Sequence, residues 1–335
     1  MPISGVIDMG MNSNYICIYL QTGEVVMRTG AVIAAAGISG GYYSYEQMGQ
    51  ISGLDMLRRM ITSFKRAGVD DVVVITGYQA EETEKYLARL GVIFLRSPDY
   101  QTEEMITSAV RGLTYLKERC ERIFFCPAGV SLFQEETLLK MTDQPIEEEP
   151  GIIIPVWEGR KGHPILIDSR LTDQLASYQG EGGLKEAFRV QKIPVNLLTV
   201  EDAGVAVYTA KKEEFERIYE HKEQHRTIHP KVKVQLEKDL PFFGPGIVTL
   251  IRQIDSLGSV REACLRTGIS YSKGWSLIHQ AEKELGYTVV ERCPGGKNGG
   301  TARVSSRGNE LLKKYEQLER AVAEYAEEKF REVFR

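Results

Sequence analysis

Three runs decide how the last third of this chain folds: Gly268-Ile-Ser-Tyr-Ser-Lys-Gly-Trp-Ser-Leu-Ile-His279, Glu284-Leu-Gly-Tyr-Thr-Val-Val-Glu-Arg292 and Pro294-Gly-Gly-Lys-Asn-Gly-Gly-Thr-Ala-Arg-Val-Ser-Ser-Arg-Gly308. The first opens with small and hydroxyl residues and continues as a helix. The second alternates as a strand, and the third is a glycine-rich hairpin carrying Lys297 with a return strand. Helix, hairpin and strand in that order predict a winged helix-turn-helix, a unit that places one helix in the DNA major groove.

Upstream, Gly258-Ser259 starts a bracing helix from Val260 to Thr267, with Ser259 as its N-cap. Gly268 supplies a left-handed turn. Ser270 then caps the second helix, whose exposed start carries Tyr271, Ser272 and Lys273. These side chains can reach base edges and phosphates, whereas Trp275, Ile278 and Ala281 suit the core. Arg292, Lys297, Arg303 and Arg307 flank or sit on the wing, where Gly295-Gly296 and Gly299-Gly300 allow close approach to a groove. The DNA-contacting set is therefore Ser270, Tyr271, Ser272, Lys273, Arg292, Lys297, Arg303 and Arg307.

Charge supports that placement modestly. The 335 residues hold 42 basic and 46 acidic side chains. From Lys231 onward there are 18 basic and 14 acidic residues, which leaves 24 and 32 upstream. Only the C-terminal part has an electrostatic reason to approach phosphates. The five cysteines (Cys17, Cys120, Cys126, Cys264, Cys293) form no CxxC pair, so they read as reduced thiols of a cytoplasmic protein. No apolar run suggests a membrane span and no signal-peptide pattern opens the chain.

Between Gly30 and about Tyr219 short apolar strands alternate with amphipathic helices. Strands are expected at 31–36, 72–75, 92–95, 123–126 and 151–155, and helices at 54–67, 81–90 and 103–117. That alternation predicts an α/β domain with a doubly wound, mostly parallel sheet in three layers (Rossmann-like), with ligands beyond the carboxyl ends of the strands. Residues 1–28 read as a β-hairpin extension, 29–222 as the α/β domain, 223–231 as a linker and 232–335 as the winged helix with a long C-terminal helix. His221, His225 and His229 share i, i+4 spacing, open to a metal reading or to a solvated linker helix. In the last helix Leu311, Tyr315, Leu318, Val322 and Tyr325 form a narrow seam, suited to a homodimer or to packing on its own domain.

The winged segment resembles the DNA-binding domain of ModE-type molybdate-responsive regulators. The resemblance rests on Gln253-Ile254-Asp255, Gly258-Ser259, Gly268-Ile269-Ser270-Tyr271, Trp275, Glu291-Arg292, Gly295-Gly296-Lys297 and Gly299-Gly300. It implies a dimer on double-stranded DNA. That family's molybdate-binding module is absent.

The α/β segment resembles MobA-like nucleotidyltransferases, particularly the molybdenum-cofactor cytidylyltransferases. It does so at Ala31 through Ser39, Ala67 through Gly77, Ser97-Pro98-Asp99-Tyr100, Gly162-His163-Pro164-Ile165-Leu166-Ile167 and Gly180-Glu181-Gly182-Gly183-Leu184. The resemblance implies a ligand site of Ala35, Ala36, Gly37, Ser39, Gly77, Gly162, His163 and Pro164. His163 is open to two readings, a ligand contact or a turn residue before Pro164.

Such enzymes need cations for the triphosphate and carboxylates for magnesium. The family's arginine and lysine fall here at Gly41 and Glu46, and its metal aspartates at Gly129, Tyr208 and Ala210. The expectation is a catalytically impaired domain that senses a nucleotide or molybdopterin-type ligand, with no catalytic and no metal-ligating residue assigned. The alternative is an active cytidylyl- or guanylyltransferase using Mg and CTP or GTP, with Glu104, Asp99, Lys65 or Arg96 as substitutes. An interaction scaffold without DNA binding is a third class.

Overall fold

The computed structural model describes residues 28–37, 53–69, 71–145, 149–208, 211–224, 228–293 and 301–334. The expected N-terminal hairpin, Ser39, Gly41, Glu46, Ala210, His225 and Lys297 with its neighbouring glycines lie outside them.

The α/β part is built on β1 (Thr29–Ala35), β2 (Asp71–Thr76), β3 (Ile93–Arg96) and β4 (Arg122–Pro127), mutually parallel in the order β3-β2-β1-β4. Every residue of β2 is buried, because helices cover both faces and neither face needs polar side chains. On one face lies α1 (Gly53–Arg66), which turns Met56, Leu57, Met60, Ile61 and Phe64 inward at helical spacing. All but Met56 meet Phe124, Phe133 and Leu138 in the first core, with α4 (Glu135–Thr142) beside them. On the other face α3 (Met105–Leu116), α5 (Thr172–Ala176) and α6 (Gly183–Val190) close the second core around Val32, Phe125 and Leu113.

Beyond β4 the sheet departs from pure parallel order. The strand β7 (Ile165–Asp168) lies antiparallel between β4 and β5 (Ile152–Trp157). Pairing antiparallel to β5 is β6 (Arg160–Lys161), whereas β8 (Val195–Thr199) pairs parallel to it, completing eight strands. Because β7 runs backwards, its start at Ile165 sits opposite Phe125. That reversal carries Gly162-His163-Pro164 to the carboxyl edge of the parallel strands.

The short α2 (Ala80–Leu87) follows β2, and α7 (Lys212–Gln224) closes the α/β part. The helix α7 is pinned by Lys222, whose ammonium donates to Leu132 O at 2.6 Å and to buried Asp202 at 2.7 Å. Asp202 also accepts from Gln134 N, Thr137 Oγ1 and Gly204 N. Burial pushes the Lys222 ammonium below its ordinary pKa, and the Asp202 carboxylate opposes that shift.

The C-terminal part begins with a two-stranded ribbon, β9 (Leu236–Glu237) and β10 (Pro241–Phe243). Then α8 (Pro245–Leu257) leads to α9 (Val260–Thr267) and α10 (Tyr271–Leu285). The hairpin β11 (Val290–Cys293) and β12 (Thr301–Val304) precedes α11 (Ser306–Val333). Ser259 Oγ accepts from Glu262 N, Ser270 Oγ from Lys273 N and Ser305 Oγ from Gly308 N. Each thus satisfies an amide that its helix cannot. Gly268 takes φ 69° between α9 and α10, the left-handed turn of a helix-turn-helix.

One core of Phe243, Leu250, Ile251, Ile254, Ala263, Ile278, Ala281, Val289, Val304 and Tyr315 joins these elements. The apolar seam of α11 divides as a result. Leu311 and Tyr315 pack on their own domain, and the Tyr315 hydroxyl donates to Val234 O at 2.7 Å. Tyr325, Val333 and Phe334 stay exposed.

Along the outer edge of the sheet, α8 and α9 cover β3. Gln253 Nε2 donates to Val92 O at 2.9 Å, and Arg266 Nη1 to Phe94 O at 2.6 Å. Arg119 pairs with Asp255, while Arg28 and Arg252 both pair with buried Glu316. No helix among the described residues is long and apolar enough to cross a membrane.

Candidate functional site

Two regions carry the residues singled out from the sequence. The first is the carboxyl edge of β1, β2 and β4. Ala35 and Ala36 are buried at the end of β1, and Ala36 O accepts from Tyr78 N at 3.0 Å, directly after Gly77. Gly162 faces the 203–208 segment so closely that an added Cβ would lie 2.3 Å from Val205 O. Only glycine allows that approach, which is locked by His163 N donating to Val205 O at 2.8 Å. His163-Pro164 is a cis peptide.

The His163 ring stands edge-on to both Phe125 and Tyr208, at centroid distances of 6.5 and 6.3 Å. Burial lowers its pKa to about 4, so it is neutral at ordinary pH. Its Nδ1 lies 3.2 Å from Tyr208 Oη. Burial raises the Tyr208 pKa, so the phenol keeps its proton. The consistent arrangement has Tyr208 donating to Nδ1, which leaves the imidazole proton on Nε2. Sequence reasoning named both residues but did not pair them, because 45 positions separate them.

The expected metal positions described here are Gly129, in the turn after β4, and Tyr208. Neither offers an anionic oxygen. Among the described residues no group of three or more His, Cys, Asp or Glu is placed to hold a metal ion. This donor set does not fit magnesium.

Of the substitutes weighed from the sequence, Arg96 is committed elsewhere and Lys65 is remote, whereas Asp99 adjoins Tyr100, which packs on Gly77. Arg96 donates Nε and Nη2 to Glu84 at 2.9 and 2.8 Å. Lys65 Nζ lies 3.7 Å from where a Gly91 Cβ would stand, before β3 and away from this edge. Asp99 and Glu104 are exposed in the segment leading to α3.

The second region is the outer face of α10 with the hairpin beside it. Tyr271, Ser272 and Lys273 are exposed at its N-terminus, Tyr271 to 52%. The Ser270 hydroxyl oxygen is occupied by the helix cap, leaving its hydrogen to donate. Tyr271 meets Trp275 edge-on, and Trp275 stacks on His279, an aromatic stripe at i, i+4, i+8. Arg292 of β11 lays its guanidinium 3.6 Å from the Trp275 ring centroid. Trp275, expected in the core, packs against it half-buried and also serves as a platform for Arg292. Arg303 pairs with Glu291 at 2.7 Å, which offsets part of its charge. Arg307 lies over Tyr287, at 4.9 Å.

With this geometry in hand, comparison with known proteins divides the chain the same way. Residues 31–195 match the family model of the MobA-like NTP transferase domain. The C-terminal region is similar to transcriptional regulators. Transcriptional regulator ModE of Haemophilus influenzae is 32% identical over 87 residues, covering 26% of this chain and 34% of that protein. The DNA-binding transcriptional dual regulator ModE of Escherichia coli is 32% identical over 77 residues, 23% of this chain and 29% of its own length. The molybdenum-pterin-binding protein MopB of Rhodobacter capsulatus is 33% identical over 90 residues, 27% of this chain and 33% of that protein. The chain thus spans about a third of the length of these curated relatives. Among solved structures, a nucleotidyl transferase from Methanothermobacter thermautotroptrophicus overlaps 59% of this chain and 99% of its own, with 17% identity and a TM-score of 0.49.

Proposed function

We propose that this chain, which carries a MobA-like NTP transferase domain at residues 31–195 and a C-terminal region similar to ModE regulators, is a DNA-binding transcriptional regulator. Its α/β domain binds a nucleotide or molybdopterin-type ligand without transforming it, and the binding alters affinity for DNA. The α/β domain occupies about 29–222 and the winged helix 232–335, joined by the linker at 223–231. The working unit is a homodimer in the cytoplasm, assembled through the exposed half of α11.

The observation that carries the reading is the open N-terminus of α10. Tyr271, Ser272 and Lys273 project from it, and Arg292 is held against the same helix by Trp275. A helix set this way enters the major groove with its first turn, while neighbouring cations meet phosphates. Support for binding without turnover comes from the ligand edge, where Gly129 and Tyr208 stand at the family's carboxylate positions. Tyr208 is hydrogen-bonded to His163 rather than open to a metal.

Two titrations on the full-length protein test this. Fluorescence anisotropy with promoter duplex at stepped salt should give log Kd rising steeply with log salt, as released counterions require. A salt-independent or absent signal overturns the regulator reading in favour of a scaffold. Pyrophosphate release from CTP or GTP with molybdopterin and magnesium should stay at background, and robust turnover would make the chain a bifunctional nucleotidyltransferase instead.

A further inference from the structure

A buried carboxylate bridges the ligand edge and the DNA-binding part. Glu84 lies within α2 with its side chain 3% exposed. It accepts from Thr76 Oγ1 at 2.8 Å and from Arg96 Nε and Nη2. From the opposite side α9 sends Arg266, whose Nε lies 3.9 Å from Glu84 Oε2 and whose side chain is 9% exposed. The same guanidinium donates to Phe94 O, and its Nε donates to Glu262 of its own helix at 3.2 Å.

One end of this cluster adjoins the carboxyl edge of the sheet and the other adjoins the helix-turn-helix. Thr76 is the last residue of β2, directly before Gly77, and α2 starts at Ala80, so Glu84 rides on the helix that opens from that edge. Arg266 lies near the end of α9, and only Gly268, Ile269 and Ser270 separate that helix from α10. Within the pair of helices, Gly274 of α10 faces Cys264 of α9 without room for a Cβ. A shift of α9 therefore carries α10 with it. Arg96 would keep Glu84 paired if Arg266 withdrew, but Arg266 is itself buried, so its departure would leave a desolvated guanidinium short of a counter-charge. Packed interfaces of this kind take discrete arrangements rather than deforming smoothly.

We propose that Glu84, through Arg266, couples the ligand edge at Thr76–Gly77 to the setting of α10. This rests on the regulator reading above. A ligand that displaces the start of α2 moves Glu84, Arg266 follows, and the presentation of Tyr271, Ser272 and Lys273 changes. Coupling free energies are reciprocal, so DNA must alter the ligand edge if the edge alters DNA binding. That reciprocity allows a test with a mixed-sequence duplex as the only probe, since phosphate contacts suffice at low salt.

Amide hydrogen exchange is measured on the full chain with and without the duplex. In the wild type, exchange across 271–280 should slow, and exchange across 77–87 should change by roughly fivefold, the lower end of typical couplings. In Arg266→Met the response at 271–280 should persist while that at 77–87 falls below roughly twofold. Glu84→Gln, which keeps the side-chain shape, should do the same and serves if Arg266→Met fails to fold by thermal melt. An undiminished response at 77–87 in a folded variant overturns the coupling. So does a wild type that responds at 271–280 alone. If 271–280 is itself unaffected by DNA, the regulator reading falls and takes the coupling with it.

Discussion

Tyr208 Oη sits 3.2 Å from His163 Nδ1, and this contact joins the 203–208 segment to the residue before the cis proline at the carboxyl edge of the sheet. The contact sets a protonated phenol against a neutral imidazole. The pair is polar, uncharged and open to solvent on the Tyr208 side, which suits binding a ligand's hydrogen-bonding edge better than offsetting phosphate charge.

The His163 pKa has a direct consequence for stability. An ordinary histidine titrates near 6.5, and His163 in the fold titrates near about 4. A depressed folded-state pKa means that its contribution is complete above pH 6.5 and is lost as pH falls toward 4. The wild type should therefore lose on the order of 2 kcal/mol more than His163→Asn across that window, allowing for the residue's remaining solvent contact. Urea melts of both proteins at pH 7 and pH 4.5 measure the difference, and parallel pH dependence would contradict the assignment.

Gly274→Ala should be destabilising. The added Cβ would meet Cys264 Sγ at 2.3 Å between α9 and α10. Forcing that contact costs about 1–3 kcal/mol. Removing the sulfur with Cys264→Ala should recover part of the loss, so a double-mutant cycle in thermal denaturation should show a favourable interaction between the two changes.

Lys222→Met should lower the denaturation midpoint with an unchanged slope. It leaves Asp202 buried without its cation, and breaking such a pair costs about 3 kcal/mol. The hydrogen bonds from Gln134 N, Thr137 Oγ1 and Gly204 N hold the loss near the low end of that class.

On DNA, Arg292→Ala should weaken binding to all duplexes and reduce the salt slope by about one unit. Trp275→Leu should reproduce much of that loss without removing a charge, because Arg292 would lose the ring that holds it. Substitutions at Tyr271 or Ser272 should change sequence preference instead, and Lys297→Ala should act uniformly. Anisotropy titrations against a panel of duplexes separate these patterns.

Local chemistry explains what could be read from the sequence. Ser259 and Ser270 were legible as caps because a cap involves only the next three residues. The parallel strands β1 to β4 were legible because burial on both faces leaves a continuous apolar run. The antiparallel insertion of β7 was not, since four apolar residues carry no direction. Glu84 and Arg266 stand 182 positions apart, and no local pattern announces their meeting. Ala36, Gly77 and His163, expected at a ligand site, come to one edge of the sheet, while Ser39 and Lys297 lie outside the described residues.

The side chains of Gln253 and Arg266 occupy Val92 O, just before the outermost strand β3, and Phe94 O within it, carbonyls that would otherwise turn toward solvent. An uncovered edge of that kind is a template on which another chain can add a strand. The C-terminal half therefore guards the other half against self-association through that edge. Severed from it, the α/β domain would carry a sticky flank, and its solubility would depend on a partner it was built to keep.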